Sequence, residues 1–459
     1  MNRKTTWSRP IRVIISIACL ASVAFAVRAE PIRAQVGSGP LPLCPERRYG
    51  RLFPSPSYAD DGTVFWLTDW RFAGANHKVV LRSVDRGASW LQVFDFPYTV
   101  NSALWTAFDM APEPEATGLA AYLGLIHGSS WIDSQYHFYR TTDGGDTWEP
   151  RTAPCDASLQ CFDYTLRAAD RPGVLFQPRF RTGYYPPLPA GVARSENGGA
   201  TWQQVWSETP ARTVAVSPNY DQDETVFAYL NAVSPSLNTR LIISHDGGET
   251  WIGGGQGLCP DHPIEKMVMS PGFARDHTLL ASATWSDSSL FMSQDGGVTW
   301  RAIFPAGGPY CGSSGFGTIY PQFSPDFPDD PTIYAATTSR GLFASYDAGG
   351  SWIMLAPNTS YNLVVRRAPD PDTLTRRAAG RGSSDLLDDV HQVFLPLAVV
   401  QGLGPPYKPH TLFIEADFSP STNNDDGYYR SDDGGRTWQC MNLPLMRPQV
   451  YLPLLRIRS

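Results

Sequence analysis

The chain has 459 residues, of which 42% are hydrophobic and 18% charged; this supplies a large core and excludes an intrinsically disordered polymer. Forty glycines and forty prolines argue against a mainly helical protein and for many short strands joined by turns. The formal charge is −7, only Lys4, Lys78, Lys266 and Lys408 are lysines, and no basic run stands out beyond the N-terminus, so a phosphate-neutralising nucleic-acid surface is not expected.

The N-terminus reads as an export signal. Arg3, Lys4, Arg9 and Arg12 precede the apolar run of residues 13–27, and small-residue cleavage signals end at Ala26 or Ala29. That run is shorter than the roughly 20 residues of a membrane span. An uncleaved anchor is the alternative; a lipoprotein signal at Cys19 fits less well. A signal peptide over 1–29 carries five positive charges and no acid, so its removal takes the charge from −7 to −12. No later window is long and apolar enough to span a bilayer. The mature chain is expected to be secreted or at the cell surface.

One octapeptide recurs: Ser/Thr, any, Asp, any, Gly, any, Thr/Ser, Trp. It reads SVDRGASW (83–90), TTDGGDTW (141–148), SENGGATW (195–202), SHDGGETW (244–251), SQDGGVTW (293–300), SYDAGGSW (345–352) and SDDGGRTW (431–438). The third residue is Asp85, Asp143, Asn197, Asp246, Asp295, Asp347 and Asp433 in turn; the last is Trp90, Trp148, Trp202, Trp251, Trp300, Trp352 and Trp438. Successive copies start 58, 54, 49, 49, 52 and 86 residues apart, which is the mark of a repeat architecture.

A second pattern precedes four copies, at SPSYADDGTVFWLT (55–68), SPNYDQDETVFAYL (217–230), SPGFARDHTLLASAT (270–284) and SPDFPDDPTIYAAT (324–337). Each is a turn-rich stretch leading into a β-branched and aromatic run, a strand signal. A full unit is then four strands. In the fourth unit, strand A is RTVAVSP, B is TVFAYL, C is TRLIIS, and D follows the octapeptide. The octapeptide is the C–D hairpin turn: Asp-Gly supplies positive φ angles, the Asp and Ser/Thr side chains bond the turn backbone, and the Trp offers a large ring to bury between sheets. A four-stranded sheet cannot bury both faces alone, so units stack radially into a β-propeller.

The octapeptides resemble Asp-box (BNR) repeats, found in sialidases, xyloglucanase-type glycoside hydrolases, sortilin-type receptors and photosystem II assembly factors. The resemblance covers about residues 45–445. It implies an all-β, seven-bladed propeller of four-stranded antiparallel blades over 44–446, with no close match to one enzyme family. It also implies that the boxes are structural turns on the face away from the ligand site, and not metal or catalytic carboxylates. The long last interval holds an insertion at about 367–391, read as a mobile loop in blade 7, with a degenerate eighth blade as the alternative. Residues 447–459 are a C-terminal tail or strand. An even count of six mature cysteines in an exported chain favours disulfides. Because the ends of a propeller meet, Cys44 and Cys440 are expected to pair, with Cys155 to Cys161 and Cys259 to Cys311.

In an antiparallel blade the A–B and C–D loops share one face, and the B–C and D–A loops share the other. With the boxes in C–D turns, a ligand is sought on the B–C/D–A face. Its candidate residues are Asp69, Trp70 and Arg71 in blade 1; Trp131 and Asp133 in blade 2; Arg179, Arg181, Tyr184 and Tyr185 in blade 3; and Trp285 and Asp287 in blade 5. Rings beside carboxylates and arginines suit a carbohydrate or a protein segment; packing of the loops against the blades is the structural alternative for each residue.

For an enzyme the signals are thin. A glycosidase needs two carboxylates at set separations, and nothing in the sequence brings two of Asp69, Asp133 and Asp287 together. The Phe-Arg-Ile-Pro-like motif of sialidases does not precede the first box. The eight histidines and the cysteines show no metal-ligand spacing, and the glycine run at 253–258 follows a boxed Trp, so it is not a dinucleotide fingerprint. No cofactor and no metal are expected. The expectation is a monomeric secreted binding or scaffolding propeller for an extracellular glycan or protein ligand, with a sialidase-like or xyloglucanase-like glycoside hydrolase as the alternative.

Overall fold

The computed structural model describes residues 50–72, 75–98, 102–113, 118–128, 135–155, 166–179, 190–259, 263–283, 289–304, 317–356, 359–368, 410–417, 427–441 and 443. All of them lie in one compact unit, Val36–Ser459.

Their strands form seven four-stranded antiparallel sheets, each built from four consecutive strands. Blade 1 is β1 (Gly50–Pro54), β2 (Val64–Phe72), β3 (Ala75–Ser83) and β4 (Leu91–Tyr98). Blade 2 is β5 (Ser102–Glu113), β6 (Gly118–Gly128), β7 (Gln135–Thr141) and β8 (Glu149–Arg151). Blade 3 is β9 (Arg167–Ala168), β10 (Leu175–Arg179), β11 (Gly191–Ser195) and β12 (Gln203–Trp206). Blade 4 is β13 (Ala211–Val216), β14 (Val226–Leu230), β15 (Leu241–Ser244) and β16 (Ile252–Gly254). Blade 5 is β17 (Ile264–Met269), β18 (Leu279–Ala283), β19 (Leu290–Ser293) and β20 (Arg301–Phe304). Blade 6 is β21 (Ile319–Phe323), β22 (Ile333–Thr337), β23 (Gly341–Ser345) and β24 (Ile353–Ala356). Blade 7 is β25 (Thr359–Arg367), β26 (His410–Asp417), β27 (Gly427–Ser431) and β28 (Gln439–Cys440). The first strands of neighbouring blades lie against one another, so strand A is the inner strand of a seven-bladed wheel.

The octapeptides occupy the turns between third and fourth strands. In blade 4 the Ser244 hydroxyl donates to Asp246 Oδ1 at 2.8 Å and accepts from the Gly248 N–H at 2.7 Å. Thr250 then donates its N–H to Oδ1 at 2.9 Å and its hydroxyl to Oδ2 at 2.5 Å. The same closure repeats at Asp85, Asp143, Asp295, Asp347 and Asp433. Asn197 performs it with a reversed end: its Nδ2 donates to the Thr201 hydroxyl.

The turn-rich stretches before strand B have their own closure. Ser55 donates to Asp61 Oδ2 at 2.6 Å, and the Thr63 N–H donates to Asp61 Oδ1 at 2.6 Å. The sets Ser217–Asp223–Thr225, Ser270–Asp276–Thr278 and Ser324–Asp330–Thr332 repeat it. In the first three of these turns a single helical turn intervenes: α1 (Tyr58–Asp61), α2 (Tyr220–Asp223) and α3 (Phe273–Asp276).

The two turn systems touch. In all seven blades the fourth octapeptide residue donates its N–H to a carbonyl at the entry to strand B: Arg86 to Gly62, Gly144 to Leu119, Gly198 to Gly173, Gly247 to Glu224, Gly296 to His277, Ala348 to Pro331 and Gly434 to His410. The A–B and C–D turns therefore share one face.

Each octapeptide Trp packs on the preceding blade. Trp148 meets Phe94, Trp202 meets Phe138, Trp251 meets Trp206, and Trp352 meets Phe304. These rings are half-buried, apart from the buried Trp300. The fully buried core between blades comes instead from strands B and C, for example Phe65, Leu67, Val80, Leu123 and Leu125 between blades 1 and 2.

Among the described residues the wheel closes without exchange of a strand between the first and last blades, because blade 7, like the others, is four consecutive strands. Arg366 donates to the carbonyls of Ser55 and Pro54 at 2.8 and 2.9 Å, Tyr428 donates to the Gly50 carbonyl, and Phe413 meets Tyr58 edge-on. The expected insertion falls between strands A and B of blade 7: Arg367 ends β25, and 369–391 lie outside the described residues, as do the signal segment and the 447–459 tail.

Candidate functional site

Most of the expected ligand residues cannot be placed. Trp131, Asp133, Arg181, Tyr184, Tyr185, Trp285 and Asp287 lie outside the described residues. Trp70 and Arg71 belong to β2, but their side chains are not described. Asp69 and Arg179 remain, and the structure does not bring them together: Arg179 donates to Gln204 of its own blade at 2.8 Å.

Asp69 sits on the B–C extension of blade 1, which outlasts the hydrophobic run. On β2, Phe65, Leu67 and Asp69 share one face; on β3, Val80 and Lys78 continue that face; on β4, Phe94 and Phe96 do. The register places Asp69 opposite Lys78 and Lys78 opposite Phe96. Phe65, Leu67, Val80 and Phe94 pack against blade 2, so the Asp69–Lys78–Phe96 row faces blade 2 at the edge of the B–C face.

Lys78 is 3% exposed. An ammonium this deep needs a counter-charge, and Asp69, half open to solvent, supplies it through an ion pair. Burial, and next the Asp69 carboxylate, push the Tyr98 hydroxyl pKa up.

Blade 2 meets this row with two imidazoles. On β6 the core phase Leu123, Leu125 runs on to His127; on β7, Tyr139 runs on to His137. His137 Nε2 and His127 Nδ1 are 3.1 Å apart, and Phe96 packs on both rings, with centroids 5.3 and 4.9 Å away. Burial, with the neighbouring His127, holds the His137 pKa below the ordinary imidazole range. Phe96, Lys78, His127 and His137 were not among the expected site residues; the signal is a polar residue continuing a core-facing phase past the end of an apolar run.

His77 and Asp95, 2.7 Å apart, occupy the opposite phase of blade 1, the one that carries Val79 and Leu81 toward blade 7. Asp69 and Asp95 thus point to opposite sides of one sheet and are not a facing carboxylate pair.

The inner strands carry charge as well. Arg212 of blade 4 pairs with Glu265 of blade 5, and Lys266 stands 5.7 Å from the Tyr320 ring of blade 6. Burial raises the Asp109 pKa, against Arg167, the Ala168 and Met110 N–H groups and Arg366; burial lowers that of Arg366 to about 10, against Asp109 and Asp61. On the octapeptide face, the A–B turns of blades 4 to 6 and the end of strand A of blade 7 enclose a cleft of about 360 Å³ whose charged lining is Arg275, Asp326, Asp329 and Arg367. Arg275 and Asp329 are 64% and 76% exposed, as expected of a solvated rim.

Among the described residues no group of three or more His, Cys, Asp or Glu is arranged to hold a metal ion, and no helix is long and apolar enough to cross a membrane.

These features define the class: a seven-bladed β-propeller of four-stranded blades. No protein-family model matches the chain, and no curated protein does. Solved structures resemble it at low identity. The GH74 xyloglucanase from Xanthomonas campestris is 15% identical, with 87% of this chain and 63% of that chain covered and a TM-score of 0.37; this chain thus spans less than two thirds of that enzyme. YCF48 bound to D1 peptide is 14% identical, over 71% and 93% of the two chains, with a TM-score of 0.41. The α-L-arabinofuranosidase Arb93A from Fusarium graminearum is 12% identical, over 85% and 94%, with a TM-score of 0.42. Such likeness concerns the fold; function has to come from the site.

Proposed function

We propose that this protein is an exported propeller that binds a carbohydrate or a protein segment on its B–C/D–A face, with the seam between blades 1 and 2 as its anchor. The observation that supports this reading is the Asp69–Lys78–Phe96 row. A buried ammonium is paired with an open carboxylate and continues into an aromatic ring and two imidazoles, where the apolar phase would otherwise end. The carboxylate and imidazoles bond hydroxyls or peptide groups, and the rings cover apolar faces.

Export is supported by the signal-like N-terminus and by the even count of six cysteines that follow it; disulfides persist in oxidising compartments. In this reading Cys155, Cys259 and Cys440 pair with Cys161, Cys311 and Cys44, which lie outside the described residues.

The second reading is a glycoside hydrolase acting on extracellular glycans. It rests on Asp69 meeting a second carboxylate from another blade's loop. A glycan and peptide array probed with the purified protein, beside a fluorogenic glycosidase panel, separates the two. Saturable binding without turnover is expected. Turnover abolished by Asp69→Asn would establish the hydrolase, and silence in both assays would refute both readings.

A further inference from the structure

We infer that His127 and His137 form a two-imidazole site for a divalent transition-metal ion, Cu²⁺ foremost. Two nitrogens bonded to one ion at roughly 2.0–2.1 Å, with an angle of about 90–109° between them, are about 2.8–3.4 Å apart. The measured separation of His137 Nε2 and His127 Nδ1 is 3.1 Å. The pair thus already has the spacing of two adjacent ligands of a single ion.

The ladder maintains that spacing. His137 lies opposite Leu125, and His127 is two residues further along the same face of β6, so the imidazoles are diagonal neighbours on paired strands and not loop residues. Phe96 packs on both rings, and the rings are tilted 34° to each other, which restricts their rotation.

Without an ion, one nitrogen must donate a hydrogen bond and the other accept it, so the pair holds a proton between them. An ion entering there takes a lone pair from each ring, and the shared proton moves by way of solvent to the outer nitrogen of the ring that held it, so both imidazoles stay neutral. No redox step is involved, and water completes the coordination. Imidazole ligands favour Cu²⁺ over the other first-row divalent ions. The charges on the same seam are the Lys78 ammonium, which opposes a cation, and the Asp69 carboxylate, which offsets it. His77 and Asp95 face the other side of blade 1 and do not contribute. The inference does not depend on the ligand-binding reading.

The test is calorimetric titration of the tag-free protein with Cu²⁺ alone, in two buffers of different ionisation enthalpy, and electron paramagnetic resonance of the equimolar sample. The expected result is one ion per chain at this site, a spectrum with nitrogen couplings from two imidazoles, and no net proton release, because both rings stay neutral. His127→Gln and His137→Gln should each weaken binding by about tenfold or more, while His77→Gln leaves it unchanged. Equal affinity in the His127→Gln/His137→Gln double variant would overturn the site. A wild-type spectrum with fewer than two imidazole nitrogens would overturn it without recourse to any variant.

Discussion

Arg430, in the last blade, donates from Nη1 to the backbone carbonyl of Arg86 in the first, at 3.0 Å. The contact is one copy of a clamp repeated around the wheel. Arg82 reaches the Gly144 carbonyl of blade 2 at 2.6 Å, and Arg194 reaches the Gly247 carbonyl of blade 4 at 2.7 Å. Each arginine immediately precedes an octapeptide and grips the octapeptide of the following blade. At Arg430 the same device joins the two ends of the chain.

Arg430→Ala should therefore destabilise the whole propeller. A hydrogen bond from a charged donor contributes about 1.5–3 kcal/mol, and Arg430 also holds Asp432 at 2.7 Å. A loss of about 2 kcal/mol in denaturant unfolding is expected. The exposed Arg275→Ala serves as the control and should stay within about 0.5 kcal/mol of wild type.

Substitutions in the octapeptide turns should separate hydrogen bonding from charge. Asp246→Ala leaves the Thr250 N–H and hydroxyl and the Ser244 hydroxyl without their acceptor, at a cost of about 1–3 kcal/mol. Asp246→Asn should cost clearly less, because Asn197 already closes its turn by accepting from the Thr201 N–H and donating to its hydroxyl. Ala348 holds φ 53° where five of its counterparts are glycines, so Ala348→Gly should raise stability, by up to about 1 kcal/mol. Thermal melts of the three variants check the order.

Acid should loosen the same turns. Burial works against ionisation of Asp85, Asp143, Asp246, Asp295 and Asp347, but hydrogen bonds from the turn hydroxyls and N–H groups outweigh it and hold all five below the ordinary aspartate pKa, Asp246 at about 2. A carboxylate whose folded pKa is lowered stabilises the fold above its unfolded pKa and loses that contribution as pH falls through the folded value. Melting temperature should thus decline between about pH 4 and pH 2. A flat profile across that window would show that these hydrogen bonds do not favour the ionised form.

A non-reducing peptide map should recover Cys44 with Cys440, Cys155 with Cys161, and Cys259 with Cys311. Free thiols or other pairs would refute the pairing and weaken the case for export.

The wheel was readable because one structural demand, a tight turn with two positive-φ positions, a side-chain acceptor and a packing ring, recurs seven times with nearly the same residues. Local chemistry there coincides with global architecture. The Ser55–Asp61 closure was visible as a pattern but not as a mechanism, because partners six residues apart meet only once the chain between them has turned. The arginine clamp hid for a different reason: Arg82, Arg140, Arg194 and Arg430 precede four of the seven octapeptides, yet the backbone carbonyls that Arg82, Arg194 and Arg430 grip lie in another blade. The blade 1–2 seam was partly legible. Asp69 stood out as a loop-end carboxylate, whereas Lys78 and the two imidazoles acquire meaning only when the register of three strands sets them side by side.

The claim that the B–C/D–A face does the binding is tested most directly by comparing variants on opposite faces against one partner taken from the array. Isothermal titration of that partner should show a loss of about tenfold or more for Asp69→Asn, and no change for Arg275→Ala in the cleft of the octapeptide face. The reverse outcome, with binding lost at Arg275 and intact at Asp69, would move the site to the other side of the wheel.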